Sequence, residues 1–187
     1  MSFPAGVVER RHEAGGTASA ALYSSCGAYR YLLTRRWGAG PRALWIMLNP
    51  STADETRNDP TIARCEARSR EWGLGGLAIA NLFAYRATRP AALKAAAAPE
   101  GPANRAVISA ALREDGPVIC AWGVHGAHQG AGERLAAELA AEGHALTVLG
   151  LTKGGLPRHP LYLRRTVRPE PWAPPVVLVP ERRASRG

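Results

Sequence analysis

Lysine is almost missing from this 187-residue chain. It stands only at positions 94 and 153, so 22 of the 24 basic residues are arginine. Cysteine is scarce as well. Cys26, Cys65 and Cys120 lie far apart with no C-x-x-C spacing, which excludes a zinc knuckle or a four-cysteine iron–sulfur cluster within one chain and fits a reducing compartment. No apolar run approaches the roughly 20 residues that a membrane-spanning helix needs. The first twenty residues lack the apolar core of a secretory signal. These absences predict a cytoplasmic protein with no membrane partner and no metal site. At 187 residues the chain suits one domain with a well-buried core and is small for two.

Positive charge is what the chain has in excess. Lys plus Arg number 24 against 15 acids, a formal net charge of +9. Such an excess favours a polyanionic partner, because arginines that neutralise a phosphate backbone release its counterions. The plainer alternative is a basic enzyme with charge scattered over its surface.

Residues 1–16 are polar and Gly-rich and read as a flexible arm. Ala18–Leu22 and Tyr29–Trp37 read as a hairpin around the turn cluster Ser24-Ser25-Cys26-Gly27. Ala43–Leu48 is a short continuous apolar run, the signature of a buried parallel strand. Asp59-Pro60 opens a helix that runs to about Trp72, since Asp caps free N–H groups and Pro suits the first helical position. Ile62, Cys65, Ser69 and Trp72 form its apolar face, with Arg64, Arg68 and Arg70 elsewhere. Leu77–Phe83, Pro117–Trp122 and His144–Leu149 are three further strands, and helices fall at 103–113 and 132–142. The alternation predicts an α/β fold: a three-layer α/β/α domain over 17–168 with a central, mostly parallel four-stranded sheet, plus the N-terminal hairpin. Repeated Pro and Arg from 169 to 187 predict an extended tail.

Four strand ends carry usable chemistry: Asn49-Pro50-Ser51, Asn81-Leu82-Phe83, Trp122-Gly123, and the loop His159-Pro160-Leu161-Tyr162-Leu163. In parallel sheets the carboxyl ends of the strands share one edge, where ligands bind. Asn-Pro is also a plain turn former, and Ser51 with Asp54 resembles a helix-capping box. As a site residue, Asn49 would orient a water or a base, since an amide positions but does not abstract protons strongly. Asn81 could satisfy itself internally, or read a nucleobase edge by donating and accepting together. Phe83, Tyr85 and Arg86 could stack or touch phosphate, or Phe83 could be core. His159 sits among Lys153, two Gly, two Pro, Arg158, Arg164 and Arg165, followed by apolar Leu161, Tyr162 and Leu163. Apolar wedges flanked by arginine are what base-extruding proteins present to DNA. Ser51, His159 and Asp54 or Asp59 could be cast as a hydrolase triad, but the G-x-S-x-G elbow is absent.

In order, Met47-Leu48-Asn49-Pro50-Ser51, Asp59-Pro60-Thr61-Ile62, Trp72 through Gly76 with Leu77–Asn81, Val118–Gly123 and His159-Pro160 resemble the motifs of the uracil-DNA glycosylase superfamily. The resemblance covers roughly residues 43–166. Ser51 stands where that superfamily has Gly or an aromatic, and Leu161-Tyr162-Leu163 replaces Ser-Pro-Leu. The chain is more closely similar to an uncharacterised bacterial family of unknown function that carries R-Y, M-L-N-P-S-T-A-D, D-P-T, N-L-F, W-G and H-P-L-Y, all present here from Arg30-Tyr31 onward. The superfamily resemblance implies a uracil-DNA glycosylase-like fold and hydrolysis of the N-glycosidic bond of an altered base in DNA, by a monomer without cofactor. Asn49 would hold the attacking water and His159 would stabilise the departing base. Asn81, Ser51 and Phe83 would bind that base. Leu161, Tyr162 or Leu163 would fill the vacated stack, while Arg158, Arg164, Arg165 and Lys153 hold phosphates. The alternatives are a non-catalytic module for modified or single-stranded nucleic acid, and an N-glycosidase for free nucleosides.

Overall fold

A computed structural model describes residues 5–113 and 116–175. Eight strands of these residues form one sheet: β1 (Val7–Ala14), β2 (Thr17–Ser24), β3 (Arg30–Arg36), β4 (Arg42–Met47), β5 (Gly76–Asn81), β6 (Val118–Cys120), β7 (Leu146–Val148) and β8 (Glu170–Pro171). Their order is β1-β2-β3-β5-β4-β6-β7-β8. The expected four-stranded, mostly parallel sheet in a three-layer sandwich is therefore overturned. The sheet is mixed and twice as wide. The β1·β2, β2·β3, β3·β5 and β7·β8 pairings are antiparallel, and only β4·β5, β4·β6 and β6·β7 are parallel.

Backbone pairing that leaves little trace in hydrophobic pattern accounts for the difference. Residues 7–14, read as part of a loose arm, are strand β1. Nearly all of its residues are exposed, so no apolar alternation marks it. Its signal is Gly15-Gly16, with φ of 55° and 70°, the positive-φ pair that a two-residue hairpin turn requires. The hairpin of β2 and β3 is not an appendage either, because β3 lies against β5 with Leu33 opposite Ile79. Close approach at Gly75 and Gly76 permits this. A Cβ on Gly75 would stand 2.4 Å from Gly40 N, and one on Gly76 would stand 2.6 Å from Arg35 O. At the far edge Glu170 and Pro171, read as tail, pair with β7. Arg182, Arg183 and Arg186 of that tail lie outside the described residues.

Among the described residues four short α-helices flank the sheet: α1 (Pro60–Glu71), α2 (Pro90–Ala95), α3 (Asn104–Ala111) and α4 (Ala131–Ala141). Asp59 caps α1 by accepting from Ile62 N at 2.9 Å, with Pro60 in its first turn. Ile62 and Cys65 pack against Trp45, Met47 and Ile119 on one face of the sheet. Trp45 donates to Ser69 Oγ at 3.2 Å and stacks on Trp72. Val107, Ile108 and Ala111 of α3 and Leu135, Ala136 and Leu139 of α4 pack with Leu44, Ile46 and Cys120 on the other face.

The arginines of α1 do not form a solvated stripe. Arg68 is fully buried and its two Nη groups donate to four successive-loop carbonyls: Leu163 at 3.1 Å, Arg164 at 2.8 Å, Arg165 at 3.1 Å and Val167 at 3.0 Å. Arg64, one turn earlier, donates to Leu161 O at 3.2 Å. Arg35 of β3 does the same for another loop, reaching Asp54 O at 2.6 Å and Asn58 Oδ1 at 2.9 Å. Arg30 holds Ala53 O at 2.5 Å. Buried guanidinium groups thus satisfy backbone carbonyls that no ladder or helix satisfies.

Truncating Arg68 strands those carbonyls inside the protein. Charge-assisted bonds contribute about 1.5–3 kcal/mol each and are not additive, so Arg68→Met should lower unfolding free energy by about 3 kcal/mol or more in urea denaturation. Arg134→Ala breaks a half-exposed ion pair with Glu100 and should cost less than about 1 kcal/mol. Equal midpoints for the two variants would show that the clamp holds nothing.

Candidate functional site

The register Met47↔Asn81 sets the ends of β4 and β5 level. The chain beyond β5 keeps following β4's extension, with Leu82 N on Met47 O at 2.8 Å, Phe83 N on Leu48 O at 3.0 Å and Ala87 N on Pro50 O at 3.0 Å. Together with Trp122-Gly123 after β6, and the loop that carries His159, these ends enclose a cavity of about 570 Å3. That size accommodates a small-molecule ligand. Asn49, Ser51, Asn81, Arg158, His159, Tyr162 and Leu163 all line it, residues more than a hundred positions apart.

Asn49 is anchored by its own amide. Nδ2 donates to Pro50 O at 3.0 Å and to Ala87 O at 2.7 Å. Two carbonyl acceptors fix which end of the amide is nitrogen, and both its hydrogens are used. Only Oδ1 is left for a ligand or water, so Asn49 offers an acceptor. This is the polarity that orients a water by one of its hydrogens.

His159 precedes a 3₁₀ turn, Pro160–Tyr162, and its Nδ1 accepts from Leu161 N at 3.4 Å. With Nδ1 an acceptor, the neutral ring carries its proton on Nε2 and offers a donor. Burial pushes its pKa below the usual histidine value, with the Asp59 carboxylate pulling the other way. His159 comes this close to β6 because Gly123 has no side chain. Gly123 has φ of 71°, and a Cβ there would stand 3.3 Å from His159 Cβ. Gly123 N also donates to Pro157 O at 2.9 Å.

Asn81 ends β5 and is 2% exposed. Its backbone carbonyl accepts from Asn104 Nδ2 at 2.9 Å, while its side-chain Oδ1 is buried without a partner. Arg30 and Asp59 also line the cleft; sequence reasoning gives Arg30 no site role and Asp59 only a place in the hydrolase triad that the missing elbow disfavours. Arg30 is 2% exposed. Among the described residues no carboxylate pairs with it, and its Nε is buried without a partner. Burial pushes its pKa down to about 10, against the attraction of Tyr23 and Asp59, so it is a cation at neutral pH. Asp59 is fixed by its cap on Ile62. The signal for Arg30 was an arginine at the head of an apolar strand, beside Tyr31.

Several expected roles do not survive. Phe83 is fully buried in the core, does not line the cleft and packs on the His128 ring at 5.5 Å, so it is core and not a stacking surface. Of the three wedge residues, Leu163 is 4% exposed and belongs to the core, and Leu161 is half-buried. Tyr162 is 83% exposed. Arg158 lines the cleft, while Lys153, Arg164 and Arg165 are exposed outside it. Arg165 pairs with Glu71. At the mouth stand Arg89, missed from sequence, and the exposed Val124. Among the described residues no three His, Cys, Asp or Glu side chains form a metal-binding group. No helix among them is long and apolar enough to cross a membrane.

The lowered pKa of His159 has a defined consequence for stability. Between that value and the unfolded value near 6.5, the unfolded chain binds more protons than the native one. The residue's contribution is therefore complete above about pH 6.5 and declines as pH falls through the folded-state pKa. An NMR titration of the His159 ring should place its midpoint below 6.5, and His159→Gln should flatten the fall in urea midpoint over the same window. A midpoint above 6.5 would contradict the burial argument.

Residues 30–161 match the profile of a family described as "Protein of unknown function (DUF1643)". No curated protein and no solved structure matches the chain. The matched stretch opens on Arg30 and ends just after His159-Pro160, so it spans every polar group that forms the floor of the cleft. By a match over more than half of its length, the chain belongs to the DUF1643 family.

Proposed function

We propose that this chain is an N-glycosylase acting on an altered base in nucleic acid, most directly DNA. The observation that carries the reading is the polarity of the cleft. One cavity gathers an amide held so as to accept, a neutral imidazole held so as to donate, and a buried amide with nothing bonded to its oxygen. Glycosidic cleavage uses the first two, and the third is placed to bind the base. The C1′–N bond breaks with its electron pair leaving on the base, and positive charge develops on the sugar. His159 Nε2–H donates to the departing base and stabilises its negative charge. Asn49 Oδ1 accepts one hydrogen of a water and aims its lone pair at C1′. As that bond forms, the water's second proton passes to the base or to solvent. The Asp59 carboxylate, fixed in the cleft wall, stabilises the sugar cation as carboxylates do in glycoside hydrolysis.

Access requires the nucleotide to leave the stack. Tyr162 is the one residue of the Leu161–Leu163 run that is exposed enough to occupy the space it vacates. Arg89, Arg158, Arg164 and Lys153 are exposed around the mouth and loop, and would neutralise about four phosphates. The logarithm of affinity should then fall with the logarithm of salt at a slope of about −3 to −4. A binding curve flat in salt would point to a small-molecule substrate instead.

The decisive experiment incubates the protein with oligonucleotides that carry single altered bases and then cleaves abasic sites. Asn49→Ala and His159→Ala should each slow base release by about 10²-fold or more, with DNA affinity little changed because phosphate contacts dominate it. Asp59→Asn keeps a good helix cap and removes only the charge, so release should drop at unchanged stability. Tyr162→Ala should weaken release from paired duplex more than from mismatched or single-stranded DNA. Binding of altered DNA without release of any base would make the protein a recognition module rather than an enzyme.

A further inference from the structure

We infer that the cleft is built to hold a 6-oxopurine, a purine with an oxygen at C6 and a hydrogen on N1. The inference deepens the reading of the cleft as a nucleobase site and rests on two side chains that the fold leaves unsatisfied.

Arg30 and Asn81 are each only 2% exposed, and both line the cavity. The Arg30 side chain makes one hydrogen bond among the described residues, from Nη1 to Ala53 O, and its Nε–H has no partner. Arg68 also has an unpartnered Nε, but its two Nη groups are saturated by four carbonyls and it does not line the cavity. Arg68 is a structural clamp. Arg30 has donors to spare. The Nε–Nη2 edge of a guanidinium is a planar fork that takes two adjacent coplanar acceptors. Asn81 contributes the opposite need, a buried Oδ1 that lacks an N–H donor. Buried polar groups without partners are costly, and a ligand is one way to satisfy them.

The complement is therefore a flat group with two neighbouring acceptors and an N–H beyond them. Guanine and hypoxanthine have this pattern. O6 and N7 form the acceptor pair to which arginine bonds bidentately, and N1–H follows O6 on the ring. Adenine places an amino donor beside N7 and would set it against the guanidinium. Uracil and thymine offer O4 between N3–H and a carbon, so they can meet Asn81 but have no second acceptor beside O4, which leaves half of the fork empty. Arg30 thus disfavours adenine by like polarity and the pyrimidines by an unmatched donor, while Asn81 rewards N1–H.

Equilibrium titration of the intact protein with 2′-deoxyinosine, 2′-deoxyadenosine, 2′-deoxyuridine and inorganic phosphate tests this, with an oligonucleotide containing one deoxyinosine as a second arm. The expected result is 2′-deoxyinosine bound about tenfold or more tighter than the other two nucleosides. Asn81→Ala removes an oxygen that bonds to nothing in the protein. It should leave the melting temperature unchanged or raised while lowering 2′-deoxyinosine affinity about tenfold. Arg30→Lys keeps the charge and loses the fork, so it should erase the preference over 2′-deoxyadenosine. Equal binding of the three nucleosides would overturn the inference. So would full competition by phosphate, or Asn81→Ala losing stability while binding stays intact. Preference for the free nucleoside with none for the oligonucleotide would keep the inference and assign the source as a free metabolite. Specific binding with no base release keeps it while ending the glycosylase reading. Release of uracil but not hypoxanthine does the reverse.

Discussion

The cleft depends on guanidinium groups buried against backbone carbonyls. Two long loops form much of its wall, residues 49–59 after β4 and residues 151–167 after β7. Neither contains regular structure beyond a 3₁₀ turn. Arg30 and Arg35 hold the first through Ala53 O, Asp54 O and Asn58. Arg64 and Arg68 hold the second through carbonyls of residues 161 to 167. A buried loop has polar backbone that must be satisfied somewhere, and arginine can reach several carbonyls at once while remaining charged. Lysine could not do this with one compact ammonium. The near absence of lysine from the chain is consistent with that demand.

This use of arginine changes what the net charge of +9 means. At least four arginines neutralise no external phosphate, because they are spent on the protein's own carbonyls. Others are engaged at the surface, such as Arg165 with Glu71 and Arg70, which pairs with Glu66 and stacks over Trp37. The case for a polyanionic partner therefore rests on position rather than on the sum. It rests on Arg89 and Arg158 at the cleft and the exposed Lys153 and Arg164 nearby.

Much of the site was legible because its elements end on strands with clear apolar runs. Leu48-Asn49, Ala80-Asn81 and Ala121-Trp122 follow continuous buried strands, and parallel pairing brings such ends to one edge. The wedge was only partly legible. Leu161, Tyr162 and Leu163 are similar as residues, and it takes the three-dimensional setting, with Arg64 and Arg68 holding the loop's carbonyls and Leu163 packed in the core, to tell that Leu163 turns in and Tyr162 out. The width of the sheet was not legible. Strand β1 is exposed on nearly every residue, and β8 is two residues long, so neither has a hydrophobic period to detect. The β3·β5 pairing joins segments forty residues apart through glycines whose packing role shows only in three dimensions. Arg30 was hidden for the opposite reason: an arginine in an apolar strand is expected at its edge, not fully buried.

The orphaned atoms explain why this arrangement is worth its cost to the fold. A core chosen for stability alone would replace Asn81 with an apolar residue and give Arg30 a carboxylate. Asp59 is close enough to raise Arg30's proton affinity, yet its side chain is committed to capping α1. The clamps at Arg35 and Arg68 show that this chain can saturate the Nη groups of buried arginines when their work is structural. Leaving Arg30 and Asn81 short of partners, in the cavity that Asn49 and His159 also line, places part of the unmet polarity where a ligand can meet it. Rigid loops are then a requirement rather than an incidental feature. A site that holds unpaired buried groups in fixed positions collapses or fills with water unless its walls are held from behind.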